Sequence, residues 1–274
     1  MPNPNPNSPF SQRYGPWAIV AGASQGLGAE FATQLARRGL NLLLVARRAE
    51  LLSALAHQLA GESGVQARTL PLDLSNPQAA AEIAAAADGL EVGLLVYNAA
   101  FSAVGPFLER PVEDHLREIE TNMGTPLRLL HLLGARLAAQ GHGGVILMSS
   151  LSSLQGAPYI SNYAATKSYS LVLAEGLAEE WRSRGVDVLV CLASAIKTPG
   201  YLASIAGKQG GFSAPASEPR DVASAALGAI GHQSVVVPGA GNRLSSFFLR
   251  HILPRQAAVR MMGSVLGGMY GKKG

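Results

Sequence analysis

A tyrosine and a lysine four residues apart, Tyr163 and Lys167, stand in the stretch SNYAATKSY, and no other tyrosine of this 274-residue chain has a lysine at that spacing. On a helix, residues four apart stack on one face one turn from each other, so a phenol and an ammonium can share a site. A free phenol, with a pKa of about 10, is too weak an acid to exchange protons well near neutrality. A neighbouring cation favours the phenolate and is expected to bring that pKa down by about one to three. Ser150, earlier in the chain, offers a hydroxyl able to hydrogen-bond a substrate oxygen. Taken alone, the Tyr/Lys pair also fits an ordinary solvated helix face. The pair gains its weight from the Gly-rich start of the chain.

These side chains need elements to position them. The run VILMSS (145–150) reads as a buried strand that turns polar at Ser149 and Ser150, followed by a loop with Gly156 and Pro158 and then the helix carrying Tyr163 and Lys167. Open α/β sheets place ligands at the carboxyl ends of their strands. Near the N-terminus, Trp17 to Ala21 is a short apolar strand running into Gly22, Ala23, Ser24, Gln25, Gly26, Leu27 and Gly28, and a helical pattern continues through Arg38. Strand, glycine turn and helix aim backbone N–H groups and the positive end of a helix dipole at a phosphate. The glycines permit the tight turn and a close pyrophosphate. Because this turn opens the first βα unit, it reads as a dinucleotide fingerprint, with Gly22, Ser24, Gln25, Gly26, Leu27 and Gly28 as cofactor contacts.

Gly39 is the expected cap of that helix. A second strand, Leu40 to Val45, ends at Ala46, Arg47 and Arg48. An NAD site would place an acid here for the ribose 2′-hydroxyl, whereas guanidiniums suit a 2′-phosphate. NADP(H) is therefore expected in preference to NAD(H); the plainer alternative is that both arginines only solubilise a helix start. A third strand, 65–72, leads to Asp73, placed to meet the adenine with Leu74 beside it, though Asp73, Ser75 or Asn76 would equally cap the next helix. After a fourth strand, Val92 to Tyr97, comes Asn98-Ala99-Ala100, where small residues let the backbone pass close to a ribose and Asn98 can tie the strand end to its neighbours. Asn122 falls in a helical stretch. There it is either a neutral surface residue or, where the helix breaks, a carbonyl that holds a water next to Lys167.

Composition bounds the rest. Hydrophobic residues make up 48% and charged ones 15%, which suits one large α/β domain with its sheet buried on both faces. The single cysteine, Cys191, lies in the apolar run VDVLVCLA and excludes an internal disulfide, pointing to a reducing, cytoplasmic setting. Residues 1–14, Pro/Asn-rich at the start, read as a disordered leader and not a secretory signal, and no apolar run is long enough for a membrane span. The six histidines have no metal-ligand spacing. The net charge of +4 is uneven, with +6 in residues 241–274 and −2 in the rest. That basic, partly apolar tail is expected as an amphipathic extension covering the site or a second subunit, or touching an anionic membrane or acidic carrier such as an acyl carrier protein. Nucleic acid is not expected, since no recognition motif accompanies the basic charge.

The ordered set AGASQGLG, Asp73, YNAA, Asn122, Ser149-Ser150 and Tyr163-x-x-x-Lys167 resembles the short-chain dehydrogenase/reductase family over about residues 15–240. The opening YGPWAIVAGASQGLG looks like the branch with 3-oxoacyl and 17β-hydroxysteroid reductases. The resemblance implies a single Rossmann-type, doubly wound parallel sheet of about seven strands in three layers. It implies a tetrad in which Tyr163 is the general acid/base, Lys167 lowers its pKa and holds the nicotinamide ribose, Ser150 positions the carbonyl and Asn122 supports a relay water. It also implies a small-molecule carbonyl or alcohol substrate, and a homodimer or homotetramer built through helices around Leu127–Leu137 and Tyr163–Trp181. The chain departs from the family at Ala193-Ser194, where Pro-Gly is usual, while Ile196 and Thr198 remain for the nicotinamide carboxamide. The Gly-rich segment of about 199–217 is expected as a lid, and a final strand is expected over Ser234–Val237. The expected activity is NADPH-dependent reduction of a ketone, 3-oxoacyl or steroid-like carbonyl, or its reverse. The alternative is a sensor or scaffold of the same fold that binds NADPH without turnover.

Overall fold

The computed structural model describes residues 8–198, 201 and 216–270. Seven parallel strands form one sheet in the order β3-β2-β1-β4-β5-β6-β7. They are β1 Trp17–Ala21, β2 Asn41–Ala46, β3 Ala67–Pro71, β4 Val92–Tyr97, β5 Gly143–Ser150, β6 Val186–Ala193 and β7 Val235–Val236. The helices are α1 Pro9–Tyr14, α2 Gly26–Arg37, α3 Ala49–Ser63, α4 Ala79–Ala86, α5 Val112–Ile119, α6 Thr125–Gln140, α7 Ser161–Glu180, α8 Pro219–Ala229, α9 Ala240–Phe247 and α10 Arg255–Tyr270. β1 and β4 are buried at every position, as the continuous apolar runs of a sheet covered on both faces require. One core holds Phe31, Leu35 and Leu227 on the face of α2 and α8; the other holds Ile83, Leu129, Leu133 and Leu171 beneath α4, α6 and α7. β3 is the edge and the most exposed strand, and Pro71 closes it where an edge tolerates the missing N–H. This is the expected three-layer, doubly wound architecture.

Strand order reverses between β1 and β4, which pair with Ala21 opposite Tyr97. That switch point is where an open α/β sheet has its crevice. It brings Gly22, Asn98 and Ala99 together: the Asn98 and Ala99 N–H groups both donate to the Ala21 carbonyl at 3.0 Å. On the next strand, Ser150 ends level with Ala193 of β6.

The expected boundaries shift in three places. The leader expected over 1–14 is folded from Ser8 onward. Ser8 accepts from the Ser11 N–H at 3.1 Å, Pro9 opens α1, and the buried Tyr14 hydroxyl donates to Asp187 at 2.7 Å. The final strand shrinks from the expected Ser234–Val237 to Val235–Val236. The stretch around Asn122 is a π-turn, Glu120–Gly124, between α5 and α6; such bulges widen a helix by one residue per turn and recur at functional sites. The expected lid falls largely outside the described residues.

Candidate active site

The turn after β1 is glycine by necessity. Gly22 has φ of +84°, and a Cβ there would lie 2.7 Å from the Ala99 nitrogen. A Cβ on Gly28 would lie 1.9 Å from the Gly22 carbonyl oxygen and 2.8 Å from Asn98 Nδ2. Asn98 donates that Nδ2 to the same carbonyl at 3.1 Å, tying β4 to the turn as the sequence suggested. Gln25, which precedes α2, makes no side-chain capping bond, so the first-turn N–H groups of α2 face outward from a close-packed glycine cradle. That is the donor set a dinucleotide phosphate needs. Arg48 Nη2 donates to Ser24 Oγ at 3.0 Å, placing a guanidinium against this turn. Arg47 is exposed beside it, and its charge reaches Asp73.

Asp73 is pushed up by partial burial, but hydrogen bonds from Ser75 and the charges of Arg117 and Arg47 outweigh this and hold it below the usual carboxylate range. Its Oδ1 accepts the Ser75 N–H at 3.0 Å and hydroxyl at 2.9 Å, and Arg117 stands 3.6 Å from Oδ2. Neither Asp73 nor Asn76 caps α4 itself: Asn76 accepts from the Gln78 N–H at 3.0 Å, one residue before the helix. Leu74 is buried under α6, its carbonyl accepting from Thr125 at 2.9 Å.

A cleft of about 110 Å³ opens at the carboxyl ends of β4, β5 and β6, lined by Leu27, Asn98, Ser150, Tyr163, Lys167 and Ile196 among others. It joins the glycine turn to the Tyr/Lys pair. A larger apolar hollow of about 580 Å³ lies on α4 and α6 around Pro77 and Leu127 and holds none of these groups. Lys167 is buried and donates Nζ to the Met148 carbonyl at 2.7 Å, while Ser149 donates to the Lys167 carbonyl at 2.8 Å. These two bonds lock α7 to the end of β5. Ser150 lines the cleft with Tyr163, acts to lower the pKa of its phenol and accepts from the Ser152 hydroxyl at 3.0 Å.

The lowered tyrosine pKa expected from Lys167 is not what the folded chain shows. Burial pushes the Tyr163 phenol up to about 12; Ser150 pulls it down and Glu118 adds to the rise. Burial also brings Lys167 down to about 8, against the pull of Glu118. The lysine is turned to a backbone carbonyl and sits 5.6 Å from the tyrosine ring centroid, so desolvation dominates both groups.

Asn122 is buried in the π-turn and works through its side chain. Its Oδ1 accepts the Phe101 N–H at 2.9 Å, and its Nδ2 donates to the Phe101 carbonyl at 2.9 Å and to Thr166 at 3.0 Å. The Tyr97 hydroxyl donates to the Thr121 carbonyl at 2.7 Å within the same turn. Beyond β6, Ile196 bridges to Ser217 and the Thr198 N–H donates to the Ile196 carbonyl at 2.7 Å. Where the family pattern has Pro-Gly, Ser194 Oγ bonds Ser217 Oγ at 3.0 Å and accepts from Asn242 at 3.0 Å. The missing turn residues are thus replaced by a polar tie to α9.

One feature was not legible in the sequence, and a second was expected there only as one of several roles for the basic tail. Glu118 is fully buried next to the site; its spacing of four from Asn122 on one helical run was the available signal. The helix α10 packs on the loop between Ser150 and Tyr163: Leu266 clusters with Ala157 and Ala164, flanked by Tyr159, Ile160 and Met262. Contact between chain segments so far apart leaves no local signal.

This arrangement defines an oxidoreductase of a nucleotide-binding α/β class, and the chain belongs to the short-chain dehydrogenase family, whose model matches residues 16–207. It is 31% identical over 255 residues to a 7β-hydroxysteroid dehydrogenase of Collinsella aerofaciens, covering 92% of this chain and 97% of that one. It is 32% identical to a very-long-chain 3-oxoacyl-CoA reductase of Pyricularia oryzae, covering 79% of this chain and 65% of that one. A solved short-chain dehydrogenase from Sphingobium yanoikuyae in complex with NADPH superposes with a TM-score of 0.77 at 30% identity, covering 85% of this chain and 91% of that one.

Proposed function

We propose that this chain is an NADPH-dependent carbonyl reductase acting on ketones with a bulky apolar body, steroid-like or 3-oxoacyl, or on the corresponding secondary alcohols. The observation that carries this reading is the single cleft in which Ser150, Tyr163 and Lys167 meet the glycine turn. A bound nicotinamide supplies the hydride. The chain's own residues do the rest. Ser150 donates to the substrate oxygen and stabilises the charge that develops there. Tyr163, a phenol protonated at neutral pH, gives its proton to that oxygen. Lys167 would hold the ribose of a bound nicotinamide and bring a positive charge to the cleft, and Asn122 fixes the π-turn against Phe101 and Thr166. Arg48 and Arg47 support a preference for NADP(H) through the 2′-phosphate. The relatives' activities support a large apolar substrate, and the apolar packing of α10 on the segment from Ala157 to Ala164, next to Tyr163, is consistent with one.

Exposed Leu127 and Leu132 on α6 and Val172 on α7 support a homodimer or homotetramer, which light scattering tests directly; a monomer at micromolar concentration would remove it. Exposed Leu244, Phe247, Phe248 and Ile252, interspersed with Arg243, Arg250 and Arg255, support a peripheral contact with an anionic membrane or an acidic carrier, and recovery of the whole protein from the bottom of a liposome flotation gradient would remove the membrane part. No helix of the described residues is long and apolar enough to cross a membrane, and the setting we infer is cytoplasmic. The function is tested by NADPH consumption over aliphatic, aromatic, steroid and 3-oxoacyl ketones. Tyr163→Phe should lower kcat by at least about 100-fold with NADPH affinity little changed. Equal turnover by the two proteins would refute the role of the phenol.

A further inference from the structure

Among the described residues, Glu118 is the one acidic side chain that is fully buried around the cleft, with no exposed surface. Carboxylates are almost never fully buried unless paired, and an apolar residue at such a position is often at least as stable. Here both oxygens are used by the site. Oε2 accepts from Asn162 Nδ2 at 2.7 Å, and Asn162 directly precedes Tyr163. Oε1 accepts the Ala103 N–H at 3.2 Å in the loop after β4. The Asn162 amide also donates to the His115 carbonyl at 3.1 Å. That loop is held on either side of Ala103, by Asn122 at Phe101 and by the Gly105 N–H donating to the Tyr159 carbonyl at 2.8 Å. Glu118 is therefore the link joining α5, the loop beyond Asn98 and the first turn of α7.

We propose that Glu118 is a positioning residue for the proton-transfer step, its carboxylate fixing the first turn of α7 and the loop 101–105 about the Tyr163 hydroxyl and setting a negative charge behind the Tyr163–Lys167 pair. The inference rests on the reductase reading above. Among the described residues, the titratable groups acting on this carboxylate or acted on by it are His115 on its own helix and Tyr163 and Lys167 on α7. Its charge raises the pKa of Tyr163 and of Lys167 alike. Ketone reduction requires the protonated phenol and benefits from the charged ammonium, so the rate falls as pH rises through whichever group loses its proton first. Removing the negative charge lowers both pKa values and moves that alkaline limb to lower pH.

The test compares wild type, Glu118→Gln and Glu118→Asp by the pH profile of kcat/KM for the best ketone of the panel, with NADPH saturating. Glu118→Gln keeps an oxygen for the Ala103 N–H but no charge; its alkaline limb should move down by about one pH unit. Glu118→Asp keeps the charge and shortens the reach; its limb should stay in place while kcat falls about tenfold. A Glu118→Gln profile superimposed on wild type, or a Glu118→Asp limb displaced as far as that of Glu118→Gln, overturns the proposal. Should Glu118→Gln fail to fold, Glu118→Asp decides it: reduced kcat with an unmoved limb supports the role and wild-type kcat refutes it. An inactive wild type would instead sink the reductase reading itself, so the two failures are distinct.

Discussion

Arg48 and Ser24 meet at 3.0 Å across the mouth of the glycine turn, and this contact supports the NADP(H) preference we propose. A guanidinium so placed presents a planar fork of donors to a phosphate and has nothing comparable to offer a ribose hydroxyl. Charge-assisted hydrogen bonds contribute about 1.5–3 kcal/mol, so Arg48→Ala should raise the KM for NADPH by about 10- to 100-fold and leave that for NADH within a factor of two or three. Arg47→Ala should do the same less strongly, since its charge is shared with Asp73. Equal losses with both cofactors would remove the 2′-phosphate role. The same scale shows where residue spacing misleads. Tyr163 and Lys167 do lie one turn apart on α7, yet the direction of the tyrosine shift is set by burial and by Glu118, neither of which the spacing contains.

At the scale of elements, α1 forms on signals local to its own residues. Ser8 before Pro9 is an N-cap followed by an N1 proline, and Phe10 and Tyr14 sit four apart on one face, their rings 4.8 Å from each other. The composition of the first residues pointed to disorder, whereas the helix is fastened to the foot of β6 through Asp187, which also takes a hydrogen bond from Arg13 at 2.6 Å. Tyr14→Phe deletes one donor and leaves the carboxylate with Arg13. It should cost about 1–2 kcal/mol in urea unfolding, with the denaturant slope and the kinetic constants unchanged. A change below about 0.3 kcal/mol would mean that α1 is not fastened in solution. Strands β1 and β4 fall at their expected residues because unbroken apolar runs of five or six leave no other solution. β7, at the opposite edge from β3, has only Val190 and Cys191 to pair with and ends sooner than its composition suggests.

Across the whole molecule, α1 closes on the amino end of the sheet, while α9 reaches Ser194 at the cleft and α10 packs on the loop before Tyr163. Gly263 lies close enough to Pro158 that a Cβ would come within 3.2 Å of it, so α10 is seated directly on the loop that carries the chain from Ser150 to Tyr163. A chain ending at Leu253 should still reduce small ketones, while its KM for a steroid or long-chain 3-oxoacyl substrate should rise at least about tenfold more than for the small one. A parallel rise for both would show that α10 shapes the loop and does not line the substrate site.

The sequence by itself determined the nucleotide half of this protein. Glycines forced by a tight turn, a buried strand that precedes them, arginines at the end of the next strand and a Tyr/Lys pair at helical spacing are local patterns, each readable within a few residues because its cause lies within those residues. Only the tertiary structure decided what surrounds the reacting oxygen. Glu118 behind Tyr163, Asn242 on Ser194 and α10 over the catalytic loop bring together residues about 45 to 110 positions apart. Their effects on pKa and on pocket shape arise from desolvation and packing, which exist only once the chain has closed on itself.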